Sequence, residues 1–375
     1  MRKIFIVTER RADYSRFKPI LELVEARASL DYVLVVTGAH LQKEQGLTIN
    51  EIKKDGFRID STVPMFTEKG DSGAIMVRAF ATVCKHLTYE LEKSAPDLIL
   101  SGFDIAANFA ITIAGAHLNI PVAHIQGGEV SGTIDESIRH AMSKFSHYHF
   151  AANDDAVQRL IKLGERPDCI FNVGCPSIDA ILKVPDIPLS NLLQKYNLQT
   201  PYSLVLQHPV TTELNDSQIQ ITHTLRAVTE NNLNALIIYP NNDAGYSSIV
   251  HHIQNSGIEH VSTLPLGDYV NLLRHAQLLI GNSSSGIHES STFKIPTINI
   301  GSRQSGRLRP SNVIDVDYDR AKISEAIHTC LSSPSFRARC ESCSNPYGDG
   351  NSSARIVELL ETLPLKHIIQ KQITY

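Results

Sequence analysis

The chain has 375 residues, 42% of them hydrophobic and 20% charged, with a formal net charge of −4. That is enough apolar material for a sizeable core and too little charge for disorder. Without a basic excess, nucleic acid is not an expected partner, and any anionic ligand has to be held by a local site.

The N-terminal stretch "MRKIFIVTERR" lacks the apolar core of a signal peptide. The longest apolar run, "FAITIAGAHLNIPVAHI", is broken by His117, Asn119 and Pro121 and fails as a membrane span. The expectation is a cytoplasmic protein with no membrane partner. In chain order, β-branched runs follow one another as "KIFIVT", "YVLVVT", "PDLILS", "IPVAHI", "YHFAAN" and "CIFNVG", then "SLVLQH", "ALIIYP", "HVSTLP", "LLIGNS", "PTINIG" and "NVIDV". Amphipathic stretches separate them, among them 14–28, 75–93 and 219–231. Strand and helix alternating at this spacing predict parallel sheets covered on both faces. The runs divide six and six around the proline-bearing segment "VPDIPLSNLLQKYNLQTPY", which reads as a linker. The expected class is α/β, with two Rossmann-like domains at 1–184 and 185–375 facing a cleft. The last residues are expected to pack back on the first domain. The six cysteines include one C-x-x-C, Cys340 and Cys343, but no second pair at zinc spacing, so free thiols are expected.

Ligands of such sheets bind beyond the carboxyl ends of the strands. There lie "TERRADYSR", "SGFDIAAN", "HIQGGEVSGTIDESIRH", "QHPVTTE", "YPNNDAG", "GNSSSGIHE" and "GSRQSGR". Arg11, Arg303 and Arg307 follow strands, and guanidinium forks suit phosphate oxygens. The serines after Gly281 and Asn282 suit a diphosphate at a helix start, although a serine-rich cap accounts for them equally. Thr133 and Glu136 read as a capping box. Behind that cap, Ile134, Ile138, Met142 and Phe145 are expected to face the core, and Asp135 and Arg139 stand at i, i+4, where an ion pair forms. Gly127, Gly128 and Gly132 are expected to let backbone approach a ligand. A structural cap does not explain why His124, Gln126, Glu129 and Asp135 all crowd one strand end. Neither G-x-G-x-x-G after the first strand nor a P-loop is present, which argues against nicotinamide enzymes and P-loop ATPases.

Together, "RADYS", "HIQGGEVSGTIDESIRH", "QHPVTTE", "YPNNDAG", "GNSSSG" and "GSRQSGR" resemble the hydrolysing UDP-N-acetylglucosamine 2-epimerases of sialic acid biosynthesis, over about residues 3–360. The likeness extends to the epimerase half of the bifunctional animal epimerase/kinase. It implies a GT-B fold and a UDP-sugar substrate split by water into UDP and N-acetylmannosamine through a glycal. It implies neither cofactor nor metal, and a homodimer or homotetramer. Carried over by motif, Arg11, Ser15, His208 and Asn241 contact UDP, Ser283 and Ser284 the diphosphate, with Gly286 of the same motif in the UDP-binding set. Glu289 takes the ribose and Arg303 a further phosphate or sugar contact. Asp104 and Asp135 form the acid–base set, with Glu129 and His124 in reserve. Two departures stand out. The family's Gly-Asp-Arg reads Phe103-Asp104-Ile105, and its His-Ile-Glu reads His124-Ile125-Gln126, where an amide replaces a proton-exchanging carboxylate. Lost polarity at Ile105 and Gln126 suits a 6-deoxy sugar, so UDP-2,4-diacetamido-2,4,6-trideoxyglucose of the legionaminic acid route is the alternative substrate. A GT-B glycosyltransferase and a non-catalytic UDP-sugar sensor stay open as different classes.

Overall fold

Ile4 and Ile6 of the first strand enter one hydrophobic core while Phe5 and Val7 enter another. That is how a strand covered on both faces must read. The computed structural model describes residues 1–375 except Asp71, Asn242, His367 and Tyr375. Thirteen strands are present among them: β1 (Arg2–Thr8), β2 (Leu30–Val36), β3 (Ser61–Thr62), β4 (Leu98–Gly102), β5 (Val122–Ile125), β6 (Tyr148–Ala151), β7 (Ile170–Asn172), β8 (Ser203–Leu206), β9 (Ala235–Ile238), β10 (Glu259–Val261), β11 (Leu278–Gly281), β12 (Thr297–Ile300) and β13 (Val313–Val316). They form a seven-stranded sheet in the order β3-β2-β1-β4-β5-β6-β7 and a six-stranded sheet in the order β10-β9-β8-β11-β12-β13. Each of the twelve runs contains a strand. The seventh strand of the first sheet, β3, was not anticipated, because two residues carry no periodicity to read.

Helices cover both faces of both sheets. In the first half, Arg11–Glu25 packs under one face, while Gly73–Ser94 and Ala106–His117 cover the other. The segment between the halves is not featureless: Leu189–Lys195 is helical, and Leu192 joins a core of the second sheet. The helix Ser352–Thr362 returns to the first sheet, where Ile356, Val357 and Leu360 join Ile4, Ile20 and Leu100 in one cluster. Two parallel sheets arranged in this way make a GT-B architecture. Among the described residues, no helix is long and apolar enough to cross a membrane. All six cysteines are unpaired.

Each sheet reverses its strand order once, between β1 and β4 in the first and between β8 and β11 in the second. At such a switch point the neighbouring crossovers go to opposite faces and leave a crevice beyond the strand ends.

Leu360 is fully buried in the first-sheet core although it lies far along the chain. Leu360→Ala is expected to cost roughly 2–5 kcal/mol of folding free energy, the range for such truncations. Urea unfolding followed by circular dichroism checks this; an unchanged midpoint would show that the returning helix is not part of that core.

Candidate active site in the cleft between the sheets

The two switch points open on the same cleft, and each is bridged by one side chain. In the first half, the Glu9 carboxylate after β1 accepts the Ala107 N–H after β4 at 2.8 Å. In the second, Asn282 after β11 accepts from the His208 N–H at 2.6 Å and donates to the His208 carbonyl at 2.9 Å. The loops beyond these bridges line two connected chambers, an inner one of about 90 Å³ and an outer one of about 210 Å³. Arg10, Ala12, Arg16, Asn241, Ser284 and Arg303 line both.

The inner chamber is organised by Arg139, which is only 2% exposed. Its guanidinium pairs with Asp104, donates to the Glu129 carbonyl at 2.9 Å and reaches Ser131 Oγ at 3.4 Å. Burial would raise the Asp104 pKa, but Arg139 and then Arg307 outweigh it and hold the carboxyl well below the usual range. Asp135 lies across from this pair and is not Arg139's partner. Burial first, then repulsion from Asp104 and Asp243, pushes its carboxyl up to about 6 against the pull of Arg303 and Arg10. Two neighbouring carboxylates with acidities driven apart form the arrangement that separates a fixed anion from a proton carrier.

Glu129 behaves as a second fixed anion. Burial would raise it, but His288, whose Nε2 lies 3.1 Å away, and Arg307 hold it down to about 2. Gln126 donates from its amide nitrogen to Glu129 at 3.2 Å and accepts from Arg16 at 2.9 Å. Two of the three positions that depart from the resembled motifs carry backbone strain. Phe103 at φ 67° and Gln126 at φ 63° are non-glycine residues in the left-handed region, at the ends of the adjacent strands β4 and β5. The Phe103 ring sits under the Arg16 guanidinium at 4.8 Å and edge-on to Phe17.

The outer chamber is rich in donors. His208 Nδ1 accepts the Asn241 N–H at 3.1 Å, which assigns its proton to Nε2, and burial keeps the ring neutral. Buried guanidinium nitrogens of Arg10, Arg11 and Arg303 have no hydrogen-bond partner within the protein. Buried donors of this kind carry a desolvation cost that an anionic ligand would offset. Ser15, Ser283 and Glu289 also line this chamber. Burial raises the Glu289 carboxyl, which accepts from Ser285 Oγ at 2.7 Å.

Of the expected residues, Asp104, Gln126, Glu129 and Asp135 line the inner chamber, and Arg11, Ser15, His208, Ser283 and Glu289 the outer, with Asn241, Ser284 and Arg303 shared. Asn242 of "YPNNDAG" lies outside the described residues. Two residues do not reach the cleft. His124 is fully buried behind it, with Nδ1 3.3 Å from Ser143 Oγ. Gly286 packs on β12, where an added Cβ would lie 2.9 Å from Thr297 Cγ2, and its N–H is already given to the Ser283 carbonyl. Three further expectations need correcting. The glycines of the 127–132 loop approach protein, not an open ligand space: a Cβ on Gly128 would meet the Ala156 carbonyl at 2.4 Å, and one on Gly132 the Ser302 carbonyl at 1.9 Å. The Thr133 cap forms, but Glu136 reaches past it to the Ser131 N–H at 2.6 Å. On that helix (Ile134–Phe145) only Met142 of the four apolar residues is fully buried, while Ile134 and Phe145 are exposed.

Sequence reasoning missed Arg10, Arg16 and His288. Arg10 pairs with Asp243 at 3.4 Å across the two halves. The doubled arginine in "ERRADYS" was the available signal, but which of the two faces the inner chamber depends on helix phase. The inter-half contacts continue where the Gly132 N–H donates to the Arg303 carbonyl at 3.0 Å and Arg307 Nε to the Val130 carbonyl at 3.0 Å. The loop after β5 is thus held by the loop after β12.

A family model described as UDP-N-acetylglucosamine 2-epimerase matches residues 22–361. The chain is similar to the UDP-N,N′-diacetylbacillosamine 2-epimerase (hydrolyzing) of Legionella pneumophila, 36% identical over 371 residues and 97% of each chain. It is similar also to the UDP-N-acetylglucosamine 2-epimerase of Neisseria meningitidis, 33% identical over 342 residues and 90% of each chain. Among solved structures, UDP-GlcNAc 2-epimerase from Neisseria meningitidis bound to UDP-GlcNAc matches with a TM-score of 0.82. That match covers 96% of this chain and 99% of that one at 18% identity, a likeness that speaks for the fold.

Two outcomes follow from this geometry. Gly132→Ala forces its Cβ into the Ser302 carbonyl and parts the two loops, so ligand affinity and turnover should fall together while the separate cores stay folded; calorimetry and circular dichroism check this. In the folded protein the Asp135 carboxyl is pushed up to a pKa of about 6, above the ordinary carboxylate value. Its contribution to stability is therefore fully present below the ordinary carboxylate range and is lost as pH rises through 6. Asp135→Asn should raise the melting temperature at pH 7–8, with the gain gone near pH 4, the ordinary carboxylate range. A loss of stability at pH 7–8 would instead mean that Asp135 works as an ion-pair partner.

Proposed function

This chain belongs to the UDP-N-acetylglucosamine 2-epimerase family, and from that premise we propose that it is a hydrolysing 2-epimerase of UDP-2,4-diacetamido-2,4,6-trideoxyglucose. The products are UDP and the free sugar of inverted C2 configuration. The observation that carries the reading is one cleft in which a split carboxylate pair adjoins a chamber of unpartnered arginine donors.

In this reading the outer chamber takes the nucleotide and the inner one the sugar. As the C1–O bond breaks, its electron pair leaves with UDP, and Arg303, neutral His208 and the serines after β11 stabilise the charge on the leaving oxygen. Cationic character at C1 acidifies the C2 hydrogen, which is otherwise adjacent to no carbonyl. A carboxylate removes that proton and a glycal results. Water then adds its hydroxyl to C1, and a proton is delivered to C2 from the opposite face. Asp135, poised near 6, suits the group that takes and returns protons. Asp104, kept ionised by Arg139, suits a fixed negative charge beside the developing cation. Gln126 exchanges no proton and serves as a hydrogen-bond partner for the sugar or a water. The sum is neutral in electrons, so no redox cofactor is called for.

The choice of sugar is supported by the 36% identical relative, whose name gives N,N′-diacetylbacillosamine. It is supported also by the apolar wall of Ala12, Phe103 and Ile105 in the inner chamber, which suits a methyl group at C6. UDP-GlcNAc, giving N-acetylmannosamine for sialic acid-type sugars, is the second reading and is favoured by the 33% identical relative.

Incubating the protein with each UDP-sugar in deuterated water should release free manno sugar carrying deuterium at C2. Product only when an acceptor is added would indicate a glycosyltransferase, and tight UDP binding without product a sensor. The 6-deoxy diacetamido substrate should show the higher kcat/KM, by up to about 10²-fold, since an apolar pocket rejects an added hydroxyl only weakly. A clear preference for UDP-GlcNAc would overturn the choice of sugar. Asp135→Asn should lower turnover by roughly 10²–10⁴-fold with UDP affinity kept, the usual contribution of one acid–base group.

A further inference from the structure

The helix Ile134–Phe145, which carries Asp135 and Arg139, has little apolar anchorage, since Ile134 and Phe145 are exposed and Met142 is its fully buried apolar side chain. Polar contacts therefore set its placement. Its first turns are fixed by the Thr133 cap and by Arg139. Its other end ends against a cluster that the proposed reaction does not use. Glu165 is 2% exposed and gathers Lys144 at 2.9 Å, Lys371 at 2.5 Å and His149 at 3.0 Å. The Lys371 ammonium also donates to the Ser143 carbonyl at 2.8 Å. That carbonyl is in the last turn of the helix, where it also accepts the Ser146 N–H at 3.3 Å and where a cation is favoured.

We propose that Lys371 is a positioning residue for the site: it ties segment 368–374 to Ser143 and Glu165 and thereby fixes the far end of the helix that bears Asp135 and Arg139. The path to the site is short. Ser143, whose carbonyl Lys371 holds, gives its hydroxyl to the Arg139 carbonyl at 3.1 Å, and Arg139 holds Asp104. Within the segment Ile373 is 59% exposed, while Ile368 packs half-buried against the first-sheet core. Among the described residues the segment's further ties are neutral hydrogen bonds, from His147 Nε2 to the Ile369 carbonyl at 3.2 Å, from the Thr374 N–H to the Gly164 carbonyl at 2.9 Å and from Thr374 Oγ1 to the Glu165 carbonyl at 3.2 Å. Lys371 supplies the charged contact. Its loss leaves Glu165 with Lys144 and His149, so the buried carboxylate keeps partners and the effect falls on the helix end.

This inference rests on the proposed roles of Asp104 and Asp135. Lys371→Met should lower kcat by about tenfold, on the scale of a small displacement of a reacting group. UDP affinity by calorimetry should stay within about twofold, because no part of the outer chamber is touched, and Lys371→Arg should restore most of the turnover. Hydrogen exchange should quicken at amides 139–146 in Lys371→Met and stay unchanged in the helix Ser217–Glu230 of the other half. Unchanged exchange at 139–146 would overturn the proposal. So would unchanged kcat per folded molecule beside an active wild type, even with a lowered melting temperature. A wild type that releases no UDP from either sugar would sink the proposed reaction instead, and the exchange comparison would still decide whether Lys371 holds the helix.

Discussion

Arg139 puts one guanidinium inside the protein, and the chemistry of the inner chamber follows from how that charge is satisfied. A buried cation without an anion is strongly destabilising, by about 3–5 kcal/mol when its partner is removed. Asp104 from the loop after β4 supplies the anion, and the Glu129 carbonyl and Ser131 from the loop after β5 take further donors. Two strand-end loops are thereby fixed to one planar group. The ion pair also divides the labour of the carboxylates. Asp104 is held ionised, and its repulsion adds to burial in pushing the Asp135 carboxyl up to about 6, against the pull of Arg303 and Arg10.

The same economy joins the two halves. The sheets reverse their strand order opposite each other, which brings the loops after β1, β4 and β5 against those after β8, β9, β11 and β12. Backbone is bonded across the gap from Gly132 to Arg303, charge from Arg10 to Asp243, and His288 Nε2 is hydrogen-bonded to Glu129. Arg303 lines both chambers with its side chain while its carbonyl holds the loop leading to Asp135.

Two of the non-glycine residues in the left-handed region stand where this chain departs from its family's pattern. Phe103 and Gln126 adopt left-handed backbone at neighbouring strand ends, and Arg16 touches both, stacking on the ring of one and donating to the amide of the other. Such conformations are kept only where the surroundings over-determine them. An aromatic ring, an isoleucine and an amide thus stand where the Gly-Asp-Arg and His-Ile-Glu patterns carry a glycine, an arginine and a carboxylate.

The elements of the fold were legible because parallel strands buried on both faces are written as unbroken apolar runs, and each of the twelve runs holds a strand. Strand-end loops were legible for a related reason: Asp104, Asp135, His208 and Arg303 stand just past such runs, where open α/β sheets bind ligands. Facing directions were not. His124 looks like its neighbours in the chain but points away from the cleft, and Gly286 spends its missing side chain on β12. Ile134 and Phe145 keep helical spacing on a helix whose buried stripe is polar, with Arg139 and Ser143 in it. Whether Arg139 would pair with Asp135, four residues before it, or with Asp104, thirty-five before it, is invisible to local spacing. An i, i+4 pair on an exposed helix gains only a few tenths of a kcal/mol, so a better-buried anion arriving from another strand wins. Sequence by itself determined the elements and their chemical inventory, because these depend on local periodicity and residue type. Only the tertiary structure decided which charges meet, because buried pairing is set by desolvation and by segments that lie far apart along the chain.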